Sequence, residues 1–275
     1  MLQFRVGRIR ICSCAAVALG AVLSLPAWQS AKADPTAYEV TYPSDSFGTV
    51  DLATGSFNQT SVLPFIPSGL AEVGSKLYVS AFGGTEFDQI NPASGAAIPI
   101  SNVGLGGAEY LALGSAGNTI YALDGSFNLY TVNPVTGLGT LVGSTGLSPT
   151  SAYQLSTGSS VLYFASLNEL YTLNTTTGAP TDLGATPLSD TGGFDALISE
   201  SGILYGGFTP DFTQTSFYTI DPATLAVTLV STQSAAVGLA WGLAAPIPEA
   251  GSLATLGVAL LGFFTLRHSR LRSRH

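Results

Sequence analysis

The sequence predicts an all-β chain: a five-bladed β-propeller closed by strands from both ends of its body, flanked by an N-terminal signal helix and a C-terminal membrane helix. Three observations predict it. A unit recurs with a period in the low forties, each unit alternates apolar and polar residues as strands do, and long apolar runs are confined to the two ends of the 275 residues.

The repeat is visible when Phe47-Gly-Thr-Val-Asp51-Leu-Ala-Thr-Gly55 is set beside Phe87-Asp-Gln-Ile-Asn91-Pro-Ala-Ser-Gly95 and Leu129-Tyr-Thr-Val-Asn133-Pro-Val-Thr-Gly137. Tyr171-Thr-Leu-Asn174-Thr-Thr-Thr-Gly178 and Phe217-Tyr-Thr-Ile-Asp221-Pro-Ala-Thr224 continue it. The Asp or Asn falls at 51, 91, 133, 174 and 221, at intervals of 40, 42, 41 and 47. Its chemistry is local: a strand ends at Asp or Asn, Pro presets the first turn dihedral, and Gly accepts the left-handed one. A second apolar-aromatic strand precedes each later turn, as Lys76-Leu-Tyr-Val79, Thr119-Ile-Tyr-Ala122, Val161-Leu-Tyr-Phe164 and Ile203-Leu-Tyr-Gly206.

Taken in order, the first blade supplies strands at 36–42, 46–51 and 57–62 and lacks an inner strand. The second supplies 69–73, 76–82, 86–91 and 96–101, and three more blades span 107–143, 151–184 and 193–231. Val237 to Ala244 has no blade of its own. It is expected beside 36–42, so that both ends of the body share one blade and no sheet edge is left open.

The flanks divide the chain into a signal peptide at 1–33, the propeller body at 34–245 and a C-terminal segment at 246–275. Arg5, Arg8 and Arg10 precede an apolar stretch from Ile11 to Trp28, and Ala31-Lys32-Ala33 offers the small residues that a signal peptidase reads. The mature chain is therefore expected to begin at Asp34. At the other end Pro248, Glu249 and Ala250 lead into an apolar run from Leu253 to Leu266, halted by Arg267, Arg270, Arg272 and Arg274. That run is of membrane length, and arginines at its end resist translocation.

Without its flanks the body is strongly acidic. Between Asp34 and Ala245 sixteen Asp and Glu face one basic residue, Lys76, a balance of −15. Nucleic acid and anionic membrane surfaces are excluded as partners of such a body. The same span has no His, Arg, Met or Cys, since Cys12 and Cys14 lie in the leader. Serine-histidine triads, thiolate chemistry and zinc sites of nitrogen or sulfur ligands are thereby excluded, and phosphoryl transfer lacks the cations it needs. Carboxylate chemistry remains.

The C-terminal segment resembles the PEP-CTERM sorting signal of exported bacterial proteins, in the order of its Pro248-Glu249 motif, apolar run and basic end. Ala250 departs, standing where that family usually has a second proline. The resemblance implies an exosortase-type processing enzyme, cleavage near Pro248-Glu249, and delivery of the body to the cell envelope, cell surface or extracellular matrix, where exopolysaccharide is the implied partner class. The body resembles secreted propellers with repeats of the Leu-Tyr-x-x-Asn-Pro-x-Thr-Gly type.

In this register the loops between second and third strands carry Asp45, Glu86 with Asp88, Asp124, Glu169 and Asp211, one acidic loop per blade. The inner strands add Glu72, Glu109, Gln154 and Asp195, directed at a central channel. Three readings stand. The carboxylates are solvated loop residues; or Asp45, Glu86, Asp124, Glu169 and Asp211 hold calcium or another hard cation; or a pair of them hydrolyses glycosides. Trp241 is the body's lone tryptophan, a poor complement for a sugar-binding enzyme. The expected function is thus a non-enzymatic, cofactor-free interaction module, sorted by its C-terminal signal, with the calcium-binding propeller and the glycoside hydrolase as alternatives.

Overall fold

The computed structural model describes residues 35–247 except 149–152, 159, 190, 201, 211 and 212. The expected leader, membrane segment, sorting motif and arginine cluster lie outside these residues. Among the described residues there are twenty strands and a single 3-10 turn, Ala235–Val237, and no helix is long and apolar enough to cross a membrane.

The strands fall into units built as the repeats predict. The first holds β1 (Thr36–Tyr42), β2 (Ser46–Asp51) and β3 (Ser56–Val62); the second holds β4 (Pro67–Val73), β5 (Lys76–Ala81), β6 (Phe87–Ile90) and β7 (Ala97–Ser101). The third runs through β8 (Ala112–Ala116), β9 (Thr119–Leu123), β10 (Asn128–Val132) and β11 (Gly139–Ser144). The fourth follows as β12 (Tyr153–Thr157), β13 (Leu162–Ser166), β14 (Glu169–Leu173) and β15 (Pro180–Ala185). The fifth is β16 (Gly193–Glu200), β17 (Ile203–Thr209), β18 (Gln214–Ile220) and β19 (Val227–Ser234), and β20 (Leu239–Ala244) remains.

Within each unit the strands pair antiparallel in chain order, while β20 pairs with β1 through Tyr38 opposite Ala244 and Tyr42 opposite Leu239. The fourth and fifth units merge into one eight-stranded sheet, because β12 and β16 pair in parallel at Ser156 with Leu197 and Thr157 with Ile198. The third unit starts later than its repeat suggests. Gly104, Gly106 and Gly107 all take positive φ and turn the chain, so Glu109 falls in a connection instead of an inner strand.

The expectation that no sheet edge is left open does not hold. β3, β7, β11, β15 and β19 are edge strands. Their side chains are almost all partly or fully exposed, and every unit has a β-bulge where the neighbouring strand meets this edge, at Phe47/Gly48, Phe87/Asp88, Leu129/Tyr130, Leu170/Tyr171 and Phe217/Tyr218. A bulge sharpens the local twist and makes a poor template for pairing with another chain.

Apolar packing runs between units. Val40, Phe47 and Leu70 join the first to the second, Phe87 and Tyr110 the second to the third, and Leu123 and Phe164 the third to the fourth. Leu170 and Phe194 join the fourth to the fifth, and Val50, Leu52, Ile198 and Phe217 join the fifth back to the first with Ala240 and Leu243 of β20.

The turn after each third strand docks on the previous unit. A Cβ on Gly95 would stand 2.2 Å from Ser61 Oγ, and one on Gly137 2.3 Å from Ser101 Cβ; Gly178 meets Gly143, and Gly55 meets Thr232 of the fifth unit. The fifth repeat has Leu225 in place of glycine, in the left-handed region at φ 57. Here the glycine is on the other partner, since a Cβ on Gly184 would lie 2.9 Å from Leu225 Cδ1.

Candidate functional site

Asp45, Glu86 and Asp124 lie in the loops expected of them, whereas Glu169 opens β14 and Asp88 lies within β6, and their surroundings use them differently. Asp124 is consumed by its own loop: Oδ1 accepts from Ser126 N at 2.8 Å and Asn128 N at 2.9 Å, and Oδ2 accepts from Asn128 Nδ2 at 3.0 Å and the Tyr130 hydroxyl at 3.1 Å. Glu169 accepts a 2.6 Å bond from the Tyr171 hydroxyl. Glu86 Oε2 accepts from Thr85 N at 3.0 Å. Asp45 sits at φ 49, its Oδ1 is buried without a partner, and burial raises its pKa. Asp211 lies outside the described residues. Among the described residues no three of His, Cys, Asp and Glu gather as a metal site would require, so these acids occupy equivalent but separate loops.

Of the inner-strand residues, Gln154 reaches across to neighbouring units, its Nε2 donating to Trp241 O at 2.6 Å and to Asp195 O at 3.2 Å. Gly69 makes room for it, as a Cβ there would lie 3.1 Å from Gln154 Oε1. Burial pushes the Asp195 carboxyl up to about 7, against a lowering by the Thr209 hydroxyl. Glu72 stands near Glu200 at the end of β16, and burial, then that neighbouring charge, raises its pKa.

A cleft of about 520 Å³ is lined by Pro64 and Phe65 of the connection into the second unit, by Glu86 and Asp88, and by Pro99, Ile100, Ser101 and Asn102. Asp88 is 4% exposed, and no hydrogen bond to its carboxylate is formed among the described residues. Burial, then the charge of Glu86, pushes its pKa up.

The cleft has a local cause. Asp88 follows the bulge of its unit, and the residues at the same position in the third, fourth and fifth units are Tyr130, Tyr171 and Tyr218, with Gly48 in the first. In the fourth unit the corresponding groove, lined by Leu147, Ser148, Glu169 and Tyr171 among others, holds only about 140 Å³. There the tyrosine occupies the space and satisfies the acid two residues before it. In the second unit the tyrosine is missing and a second carboxylate takes its place.

Sequence reasoning placed Asp88 among the loop acids without separating it from them. The signal was present: Phe87-Asp88 breaks a column otherwise filled by Leu129-Tyr130, Leu170-Tyr171 and Phe217-Tyr218. Glu39 was missed altogether. It is fully buried, and its Oε1 accepts a 2.6 Å bond from Gln233 Nε2 of β19.

No protein-family model matches the chain, and no curated protein does. Solved structures do. A chain from the structure of a nidogen/laminin complex superposes with a TM-score of 0.53 at 13% identity, over 76% of this chain and 97% of that one. A Bacteroides thetaiotaomicron protein of unknown function superposes with a TM-score of 0.52 at 17% identity, over 73% of this chain and 56% of that one. At such identities the likeness concerns the fold alone. The fold is all-β and β-propeller-like.

Proposed function

We propose that the chain is an exported bacterial surface or extracellular-matrix protein whose body is a five-bladed propeller serving as a non-enzymatic interaction module. The observation that carries the proposal is an acidic cleft holding Glu86 and Asp88, with Asp124 and Glu169 bound within their own units. Such an arrangement binds; it does not assemble the converging groups of most catalytic sites. β20 beside β1, and the packing of the fifth unit on the first, support the closed five-bladed reading. Export rests on the two flanks, with signal peptidase and an exosortase-type enzyme as processing partners and the apolar run from Leu253 to Leu266 as the membrane element.

Mass spectrometry of the native protein tests the export reading. Ends at Asp34 and near Pro248-Glu249 are expected; a mature product that still ends at His275 would overturn sorting by cleavage.

Glycoside hydrolysis is the second reading, favoured by the pairing of Glu86 with Asp88, whose raised pKa suits a general acid. A panel of glycosides distinguishes the two: the binding module turns none over, and turnover abolished by Asp88→Asn would establish the hydrolase.

A further inference from the structure

The second-unit cleft is an otherwise filled groove from which one side chain has been withdrawn. Where the tyrosine is kept, as at Tyr171, the phenol supplies both a flat ring and a donor to Glu169. Where Asp88 replaces it, the ring and the donor are both gone, and two acceptors remain, one of them nearly enclosed and without a partner. A ligand that restores what is missing must be flat and must carry several donors. A positive charge suits it as well, because two carboxylates lining one partly apolar cleft disfavour their joint ionisation.

We propose that this cleft is a receptor site for a guanidinium group, the side chain of an arginine presented by a partner protein. Guanidinium has five N–H donors in a planar fork, which suits two carboxylates lining one cleft. Its weak hydration suits walls made by Phe65, Pro99 and Ile100, and its face stacks on an aromatic ring. An alkylammonium is compact and strongly hydrated, and fits the flat space less well. A hard cation would need six or more oxygen ligands, whereas the cleft has carboxylates from two residues. The strongly acidic body, with Lys76 its one basic residue, steers a basic partner toward the site.

The inference rests on the interaction-module reading and is tested apart from it, by titrating the ¹⁵N-labelled full chain with N-acetyl-arginine amide. Saturable shifts are expected at Glu86 to Gln89 and Phe65 by about 10 mM, with N-acetyl-lysine amide weaker. Asp88→Asn weakens the binding about tenfold, as loss of a charge-assisted bond does. Asp88→Tyr, which supplies the residue of the third, fourth and fifth units, abolishes it while shifts elsewhere stay native. If that variant does not fold, Asp88→Asn and Glu86→Gln carry the test. The proposal is overturned if no saturable shift appears, if the Asp88 variants respond as the native chain does, if the lysine analogue binds equally well, or if calcium chloride gives the same shifts at lower concentration. None of these outcomes bears on turnover in the glycoside panel, so failure here and failure of the interaction-module reading are distinguishable.

Discussion

Glu39→Gln should make the protein more stable at alkaline pH. Glu39 lies on β1 where the first and fifth units meet, and β19 supplies its partner: Gln233 Nε2 donates to Glu39 Oε1 at 2.6 Å and to Gly238 O at 3.3 Å. Glu39 Oε2 and Gln233 Oε1 are both buried without partners, an arrangement that suits a proton on the carboxyl. Burial pushes its pKa from 4.5 up to about 8, with the Gln233 bond opposing. The folded state therefore retains a proton between pH 4.5 and about 8 that the unfolded chain has released. Its contribution to stability is full below pH 4.5, declines as pH rises, and is gone above about 8. A rise of that size corresponds to about 5 kcal/mol as a ceiling. Glutamine keeps the hydrogen-bonding shape of the protonated acid and cannot ionise. Urea unfolding from pH 4 to 9 should show native stability falling toward alkaline pH by about 3 to 5 kcal/mol more than that of the variant. Asp195, Glu72 and Asp88 also titrate upward of their ordinary range, but they are common to both proteins and cancel in the difference. Parallel curves for the two proteins would refute the reasoning.

Three further substitutions probe other parts of the architecture. Gln154→Leu removes the bonds to Trp241 O and Asp195 O at the axis and should cost about 2 to 4 kcal/mol in urea unfolding, because two backbone carbonyls lose a donor. Asp124→Ala leaves four donors of its loop without an acceptor and should cost about 2 to 3 kcal/mol in the same assay, with no effect on arginine-analogue binding. Gly95→Ala places a methyl group 2.2 Å from Ser61 Oγ at φ +67 and should lower stability by about 2 to 4 kcal/mol, whereas Gly74→Ala, at φ +64 with nothing within 4 Å, should cost about 1 kcal/mol in thermal unfolding.

Much of the fold was legible because its punctuation is local. The turn Asp and Asn residues behave as their chemistry demands: Asp51 Oδ1 accepts from Ala53 N, Asn91 Oδ1 from Ala93 N, and Asn133, Asn174 and Asp221 repeat the bond. Strands of the first two units therefore fall within two residues of their expected bounds. Features set by contact between distant segments were not legible. Leu225 in a glycine position reads as a broken repeat until Gly184, in the neighbouring unit, is seen to make the room. Alternation along β1 assigns Glu39 a polar face, yet this strand is covered on both sides, by the second unit and by the fifth. The site was half legible: Asp45, Glu86 and Asp124 fall in the expected loops while Glu169 opens β14 and Asp88 lies within β6, and the open groove came from comparing Asp88 with the tyrosines of three other units.

The central claim is that the two ends of the body meet. The native span from Asp34 to Ala245 has no cysteine, so a Tyr38→Cys, Ala244→Cys pair tests it without competing thiols. Oxidation should form one intramolecular disulfide, seen as complete loss of free thiol in monomeric protein, with a raised melting temperature from closing so long a loop. Thiols that stay free in folded monomer, or that bridge only between molecules, would contradict the account.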